Sequence, residues 1–161
     1  FSKNTKNLIC ITGDGSLMMN LQELQTITGY KIPVKIFILN NEGYHSIRQT
    51  QYNYFNGREI GCGNNSGLTF PSFKKIANAF NFKYFKINNV LDCKKQIKKI
   101  INYKKGLICE VKIDKKQLFE PRVVSYKDKH GKLQTPPLEE MSPKLSEKIF
   151  NETMIIKKWQ N

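Results

Sequence analysis

Short apolar runs alternate with amphipathic stretches over the first two-thirds of the chain. Four runs have the length and composition of strands: 8–12, 34–39, 83–87 and 107–113. The first two are almost continuously apolar, which predicts strands buried on both faces of a parallel sheet.

The segments between these runs have helical periodicity. Apolar residues recur at intervals of three and four over 17–27, and Gly29 follows as a helix stop, so we predict one helix there. Ser72 is predicted to cap a helix over 73–80. Asp92 is predicted to cap the next helix, which runs to residue 101.

This alternation of strands and helices predicts an α/β fold with a doubly wound parallel sheet. The proline-rich segment that follows predicts an extended C-terminal arm with a hairpin turn at 128–131 and a short helix near 146–157. We therefore expect two domains, 1–113 and 114–161. The chain begins at Phe1, with six residues between it and the first strand, and we expect a piece of a longer protein.

Two polar motifs follow the first two predicted strands. Gly13-Asp14-Gly15-Ser16 ends the first, and Asn40-Asn41-Glu42-Gly43 ends the second. In doubly wound sheets ligands bind beyond the carboxyl ends of the strands, so both motifs fall where a site is expected.

The residue types in these motifs suit a magnesium ion. Mg²⁺ prefers six hard oxygen ligands and often shares them with phosphates. Asp14 offers a carboxylate, Asn41 an amide oxygen and Gly43 a backbone carbonyl. Gly15 permits close approach of a phosphate, and Gly15 and Ser16 lie at a helix N-terminus, where N–H groups favour anions.

At these motifs the chain resembles thiamine diphosphate enzymes of the pyruvate decarboxylase and acetolactate synthase group. Their fingerprint is Gly-Asp-Gly followed, after a spacer of this length, by Asn-Asn. Segments 13–24 and 32–41 resemble acetolactate synthases, and 40–51 and 70–79 resemble a branch linked to surface-polysaccharide gene clusters.

The resemblance implies thiamine diphosphate and Mg²⁺ as cofactors, with Asp14, Asn41 and Gly43 as metal ligands. Gly13, Gly15, Ser16 and Tyr44 join them in binding the cofactor. It also implies a 2-oxo acid substrate and a homodimer or tetramer, in which a partner subunit's pyrimidine-binding domain supplies the activating glutamate. His45 is either a proton shuttle or a packing residue, and Arg48 either binds a substrate carboxylate or makes a structural ion pair.

The chain departs from both named activities in one segment. Acetolactate synthases usually carry Leu-Gly-Met where this chain has Tyr44-His45-Ser46, and a substrate-selecting Trp where it has Thr50. Pyruvate decarboxylases carry a glutamate close after the second motif, where this chain has Ser46 and Ile47. The resemblance thus implies a decarboxylase or carboligase, with a non-ligating 2-oxo acid decarboxylase as an alternative.

Composition changes this picture little. The formal charge of +14 raises a nucleic-acid-binding hypothesis, but the lysines are scattered and only three residues are arginine (Arg48, Arg58, Arg122), so we expect no nucleic-acid partner. The four cysteines lack metal or redox spacing, which favours free thiols in the cytoplasm. No apolar stretch is long enough for a bilayer, so no membrane association is expected.

A magnesium-dependent nucleotide-binding Rossmann-like domain is the alternative from another class, although it would need a glycine-rich GxGxxG loop that the chain lacks.

Overall fold

The computed structural model describes residues 8–157. Backbone packing divides the chain into two compact units, Phe1–Gln117 and Leu118–Asn161. The predicted domains also include residues 1–7 and 158–161, which lie outside the described part, and their boundary after residue 113 stays a prediction. No helix within 8–157 is both long enough and apolar enough to cross a membrane.

The first unit is a four-stranded parallel sheet flanked by helices, which confirms the predicted α/β fold. The strand order is β1-β2-β4-β3. In chain order the elements are β1 (Leu8–Gly13), α1 (Asp14–Met19), α2 (Glu23–Gly29), β2 (Val34–Asn40), α3 (His45–Tyr54), a 3₁₀ turn (Asn64–Ser66), α4 (Phe73–Ala79), β3 (Lys83–Ile87), α5 (Val90–Ile101) and β4 (Leu107–Lys112).

Both faces of the central strands are covered. Ile36 and Ile38 on β2 pack in one cluster with apolar residues of α1, α2 and α4. Phe37, the residue between them, belongs to a second cluster that includes Ile100 of α5. Because successive strand residues point to opposite faces, the two clusters are the two layers of a doubly wound sheet.

The prediction that the first strand is buried on both faces is wrong. Ile9 is 46% exposed and Ile11 68% exposed. The reason lies in the strand order: among the described residues β1 pairs only with β2 and forms an edge of the sheet. An apolar run indicates that a strand can be buried, but the strand's position in the sheet determines how much of it is buried.

The single helix predicted over 17–27 is two helices. α1 ends at Met19, and tighter i→i+3 bonds follow, including those from Glu23 N–H to Asn20 O at 3.0 Å and from Leu24 N–H to Leu21 O at 3.2 Å. These bonds continue the helical sense, so the apolar residues still face one core although the α-helix is interrupted.

The predicted caps have different outcomes. Ser72 caps α4 through a bond from Lys75 N–H, as predicted. Asp92 does not cap α5: the helix begins at Val90, and Asn89 is its N-cap, accepting from Asp92 N–H at 2.9 Å. Asn is among the strongest N-cap residues and stands three positions earlier, so it takes the capping role.

The second unit contains a short hairpin, β5 (Tyr126–Lys127) with β6 (Leu133–Gln134), and the helix α6 (Glu147–Thr153). The hairpin turns at the predicted residues, where Asp128 accepts bonds from the N–H groups of His130 and Lys132 and Gly131 has a positive φ of 77°. α6 begins after Ser146, its N-cap, and is shorter than predicted.

Candidate functional site

The two motifs identified in the sequence meet at the carboxyl ends of β1 and β2. Gly13 pairs with Leu39 in the parallel register, which places Asp14 beside the loop that follows β2. Gly43 N–H donates to Asp14 Oδ2 at 3.0 Å. This bond joins residues 29 positions apart in sequence and closes the two motifs into one site.

Asp14 is a buried carboxylate, only 2% exposed. Burial raises the pKa of Asp14, whereas N–H groups of both motifs, from Gly15, Gly43, Glu42 and Asn41, act to lower it. Gly15 N–H donates to Oδ1 at 2.7 Å. A positive ion beside this carboxylate would offset the burial cost and favour the charged form.

Asn41 presents a buried acceptor. Its side-chain Oδ1 is inaccessible to solvent and has no hydrogen-bond partner among the described residues. Buried polar atoms are nearly always satisfied, so an unpartnered one points to a ligand or ion. No group of three or more His, Cys, Asp or Glu side chains suited to a metal occurs in 8–157. A metal here would therefore depend on amide and carbonyl oxygens as well as Asp14.

The turn after Asn41 is tightly constrained. Glu42 has a positive φ of 58°, unusual for a residue with a side chain, and its N–H donates to Asn40 Oδ1 at 3.0 Å. Tyr44 N–H donates to the Cys62 carbonyl at 2.9 Å. A β-carbon at Gly43 would overlap that same carbonyl, so glycine is required for this close approach.

Arg48 is placed as a clamp on this turn. Its guanidinium donates to the backbone carbonyls of Asn41 at 3.4 Å, Glu42 at 3.1 Å and Cys62 at 3.3 Å. It also lies 3.8 Å from the Glu59 carboxylate. Of the two roles considered for Arg48, this geometry supports the structural one, because its donors are directed at the protein's own backbone.

The remaining predicted residues lie around the same turn. Tyr44 packs its ring against Gly15 and meets Phe70 edge-on, with centroids 6.0 Å apart. His45 begins α3 and is 6% exposed, and both of its proposed roles stay predictions. Ser16 is exposed in the first turn of α1. Gly15 N–H donates to Asp14 Oδ1, and the roles of Gly15 and Ser16 toward a phosphate stay predictions.

A polar group behind the second motif is not predicted by the sequence patterns. Glu110 of β4 accepts bonds from Asn40 Nδ2 at 2.8 Å and from the Tyr84 hydroxyl. Burial and the bond to Glu110 raise the pKa of Tyr84, so its hydroxyl stays protonated as a donor. These side chains line a cavity of about 470 Å³ with Glu42 and Lys86. The one signal for this group in the sequence is Glu110, a charged residue inside the apolar run of β4.

The chain matches known proteins over most of its length. Residues 2–111 match the family model described as thiamine pyrophosphate enzyme, C-terminal TPP binding domain. The chain is 34% identical over 116 residues to the acetolactate synthase large subunit of Porphyra purpurea, covering 72% of this chain and 19% of that protein. It is 32% identical over 121 residues to acetolactate synthase isozyme 1 large subunit of Escherichia coli, covering 73% and 20%. The chain thus spans about a fifth of the length of these curated relatives.

Proposed function

Because the chain belongs to the thiamine pyrophosphate enzymes and carries their C-terminal TPP binding domain, we propose that it anchors thiamine diphosphate through Mg²⁺ in a 2-oxo acid decarboxylase or carboligase. One observation carries the metal assignment. The buried Asn41 Oδ1 lacks a hydrogen-bond partner within 8–157, and it belongs to the turn that bonds to Asp14.

The donor set fits the proposed ion. The Asp14 carboxylate, Asn41 Oδ1 and the Gly43 carbonyl would supply three oxygen ligands, and the cofactor's diphosphate with a water would complete the shell. Gly13, Gly15, Ser16 and Tyr44 would contact the diphosphate side. Arg48 supports this arrangement because it ties the Asn41 and Glu42 carbonyls to Cys62.

The bound cofactor would supply an electron sink for loss of CO₂ from a 2-oxo acid. This chain's residues would hold the diphosphate, fix its position relative to the sheet and neutralise its charge through the metal. The activating glutamate is proposed to come from a pyrimidine-binding domain of a partner subunit, in a homodimer or tetramer. A cytoplasmic location is also proposed, supported by four free cysteines.

The first prediction concerns the metal ligands. Asp14→Ala and Asn41→Ala in the intact enzyme should each abolish retention of thiamine diphosphate, because the remaining ligands cannot hold the ion that neutralises the diphosphate. Calorimetric titration with thiamine diphosphate and Mg²⁺ measures this. Asn102→Ala, which alters an exposed asparagine after α5, is the matched control and should bind as wild type. Wild-type affinity in both ligand variants would reject the assignment.

A further inference from the structure

Glu110 is a carboxylate inside the sheet. It lies on β4 between β2 and β3, opposite Ile38 on one side and Lys86 on the other, and it is 9% exposed. Burying a carboxylate is costly unless hydrogen bonds compensate for lost water. The role of Glu110 can therefore be inferred from the groups that hydrogen-bond to its carboxylate.

Both oxygens of Glu110 are engaged by neighbouring strands. Oε1 accepts from Asn40 Nδ2 at 2.8 Å, at the end of β2, and Oε2 accepts from the Tyr84 hydroxyl of β3. The Lys86 ammonium is farther, at 3.8 Å from Oε1, on a side chain that is 46% exposed. The carboxylate thus connects the two strands on either side of it.

The bond to Glu110 sets the orientation of the Asn40 amide. Because Asn40 Nδ2 donates to Glu110 Oε1, the oxygen of the same amide points away from Glu110. That oxygen accepts from Glu42 N–H at 3.0 Å. Glu42 has a positive φ of 58°, a conformation that needs support in a residue with a β-carbon.

We propose that Glu110 is a positioning residue for the metal-binding turn and acts through Asn40; this inference rests on the proposed function. Glu110 holds Asn40, Asn40 holds Glu42 in its left-handed conformation, and Glu42 separates the two turn ligands, Asn41 Oδ1 and Gly43 O. Mg²⁺ demands near-ideal octahedral geometry, so a small displacement of this turn weakens its binding.

The test is a Mg²⁺ titration of the intact enzyme at saturating thiamine diphosphate, followed by calorimetry, with thermal unfolding measured in parallel. Glu110→Ala should weaken Mg²⁺ binding by about 10-fold, the low end of the loss seen when a direct partner of a metal ligand is removed, because Glu110 acts through Asn40 and Glu42. Glu110→Gln, which keeps an acceptor for Asn40, should restore most of the affinity. Lys86→Gln, which removes the neighbouring cation and leaves the Asn40 contact intact, is the matched control and should bind as wild type.

A double-mutant cycle tests the route through Asn40. Asn40→Ala should weaken Mg²⁺ binding at least as much as Glu110→Ala, because it also removes the acceptor of Glu42 N–H. The double variant should bind no more weakly than Asn40→Ala, since the effect of Glu110 passes through Asn40. If the two losses of Mg²⁺ affinity multiply in the double variant, the proposal is overturned. So would a Glu110→Ala enzyme that unfolds at lower temperature with unchanged Mg²⁺ affinity, or a Lys86→Gln enzyme with an equal loss.

Two variants separate the possible failures. If Glu110→Ala does not fold, Asn40→Ala carries the test, because it removes the same connection from the other side. Wild-type Mg²⁺ affinity in Asn40→Ala overturns the inference. Asp14→Ala reports on the proposed function itself. If it loses Mg²⁺ while the Glu110 and Asn40 variants keep it, only the positioning role fails; if wild type binds neither cofactor, the proposed function fails.

Discussion

At position 43 the backbone passes so close to the Cys62 carbonyl and the Arg48 guanidinium that a β-carbon has no room. The same residue donates its N–H to Asp14, so the constraint lies within the candidate site. The neighbouring residue, Glu42, already occupies a left-handed conformation. Contacts with chain segments on both sides therefore determine the geometry of this turn, and we expect the addition of one methyl group at Gly43 to disturb it.

Gly43→Ala should destabilise the protein by about 1–3 kcal/mol, the usual cost of forcing a strained backbone position, and should reduce cofactor binding. The strain arises because the new methyl group overlaps backbone that cannot rotate away. Chemical denaturation and cofactor titration of the intact enzyme measure the two effects. Gly29→Ala is the matched control, since an added β-carbon there meets nothing within 4 Å. Equal stability of both variants would contradict the steric argument.

The helix α3 carries the segment in which the chain departs from acetolactate synthases. His45 and Gln49 are buried, at 6% and 8% exposed. Ser46 and Thr50, also four residues apart, are both exposed. Residues at this spacing share a helix face, so the face with His45 packs into the unit and an adjoining face presents Ser46 and Thr50 outward.

We predict that Thr50, with the Tyr44-His45-Ser46 segment, sets substrate choice. Thr50 is smaller than the tryptophan usual in acetolactate synthases, so the acceptor pocket should differ in width or shape. The intact enzyme should then form little acetolactate from pyruvate alone and prefer another 2-oxo acid or another acceptor aldehyde. Product analysis over a panel of 2-oxo acids and acceptors, on wild type, Thr50→Trp and the conservative control Thr50→Ser, measures this. Efficient acetolactate formation by wild type, unchanged in Thr50→Trp, would show that this segment does not select substrate.

The molecule as a whole presents apolar surface that its own described residues do not cover. Ile9 and Ile11 of the edge strand β1 are 46% and 68% exposed, and Tyr52 and Phe55 near the end of α3 are 76% and 62% exposed. The described residues therefore leave these two aromatic side chains largely uncovered, and aromatic residues are enriched at protein interfaces. The chain also spans only about a fifth of its relatives' length. Both facts support a site completed by other protein segments.

The 161-residue chain alone should therefore be catalytically inert. The activating glutamate and half of the cofactor pocket are proposed to lie elsewhere, and catalytic groups must be held together for proximity to act. Purified chain, supplied with thiamine diphosphate, Mg²⁺ and pyruvate, should release CO₂ only at the buffer rate. The intact enzyme, tested on its preferred 2-oxo acid, is the positive control. Release from the isolated chain above background would show that the site is complete within it.

Local signals in the sequence determined the strands β2, β3 and β4, the cap at Ser72, the hairpin turn at Asp128 and the spacing of the two motifs. Each depends on neighbouring residues: apolar runs favour strands, and capping or turn side chains bond to backbone a few positions away. The resemblance at the motifs identified the family for the same reason, since its fingerprint is a short pattern.

Tertiary structure alone decided the features that join distant residues. The exposure of β1 depends on which strands pair with it, and the clamp by Arg48 depends on where Cys62 lies. The bond between Glu110 and Asn40 spans 70 positions. Hydrophobic periodicity carries no information about such contacts, because a buried carboxylate is tolerated only where partners from other strands reach it.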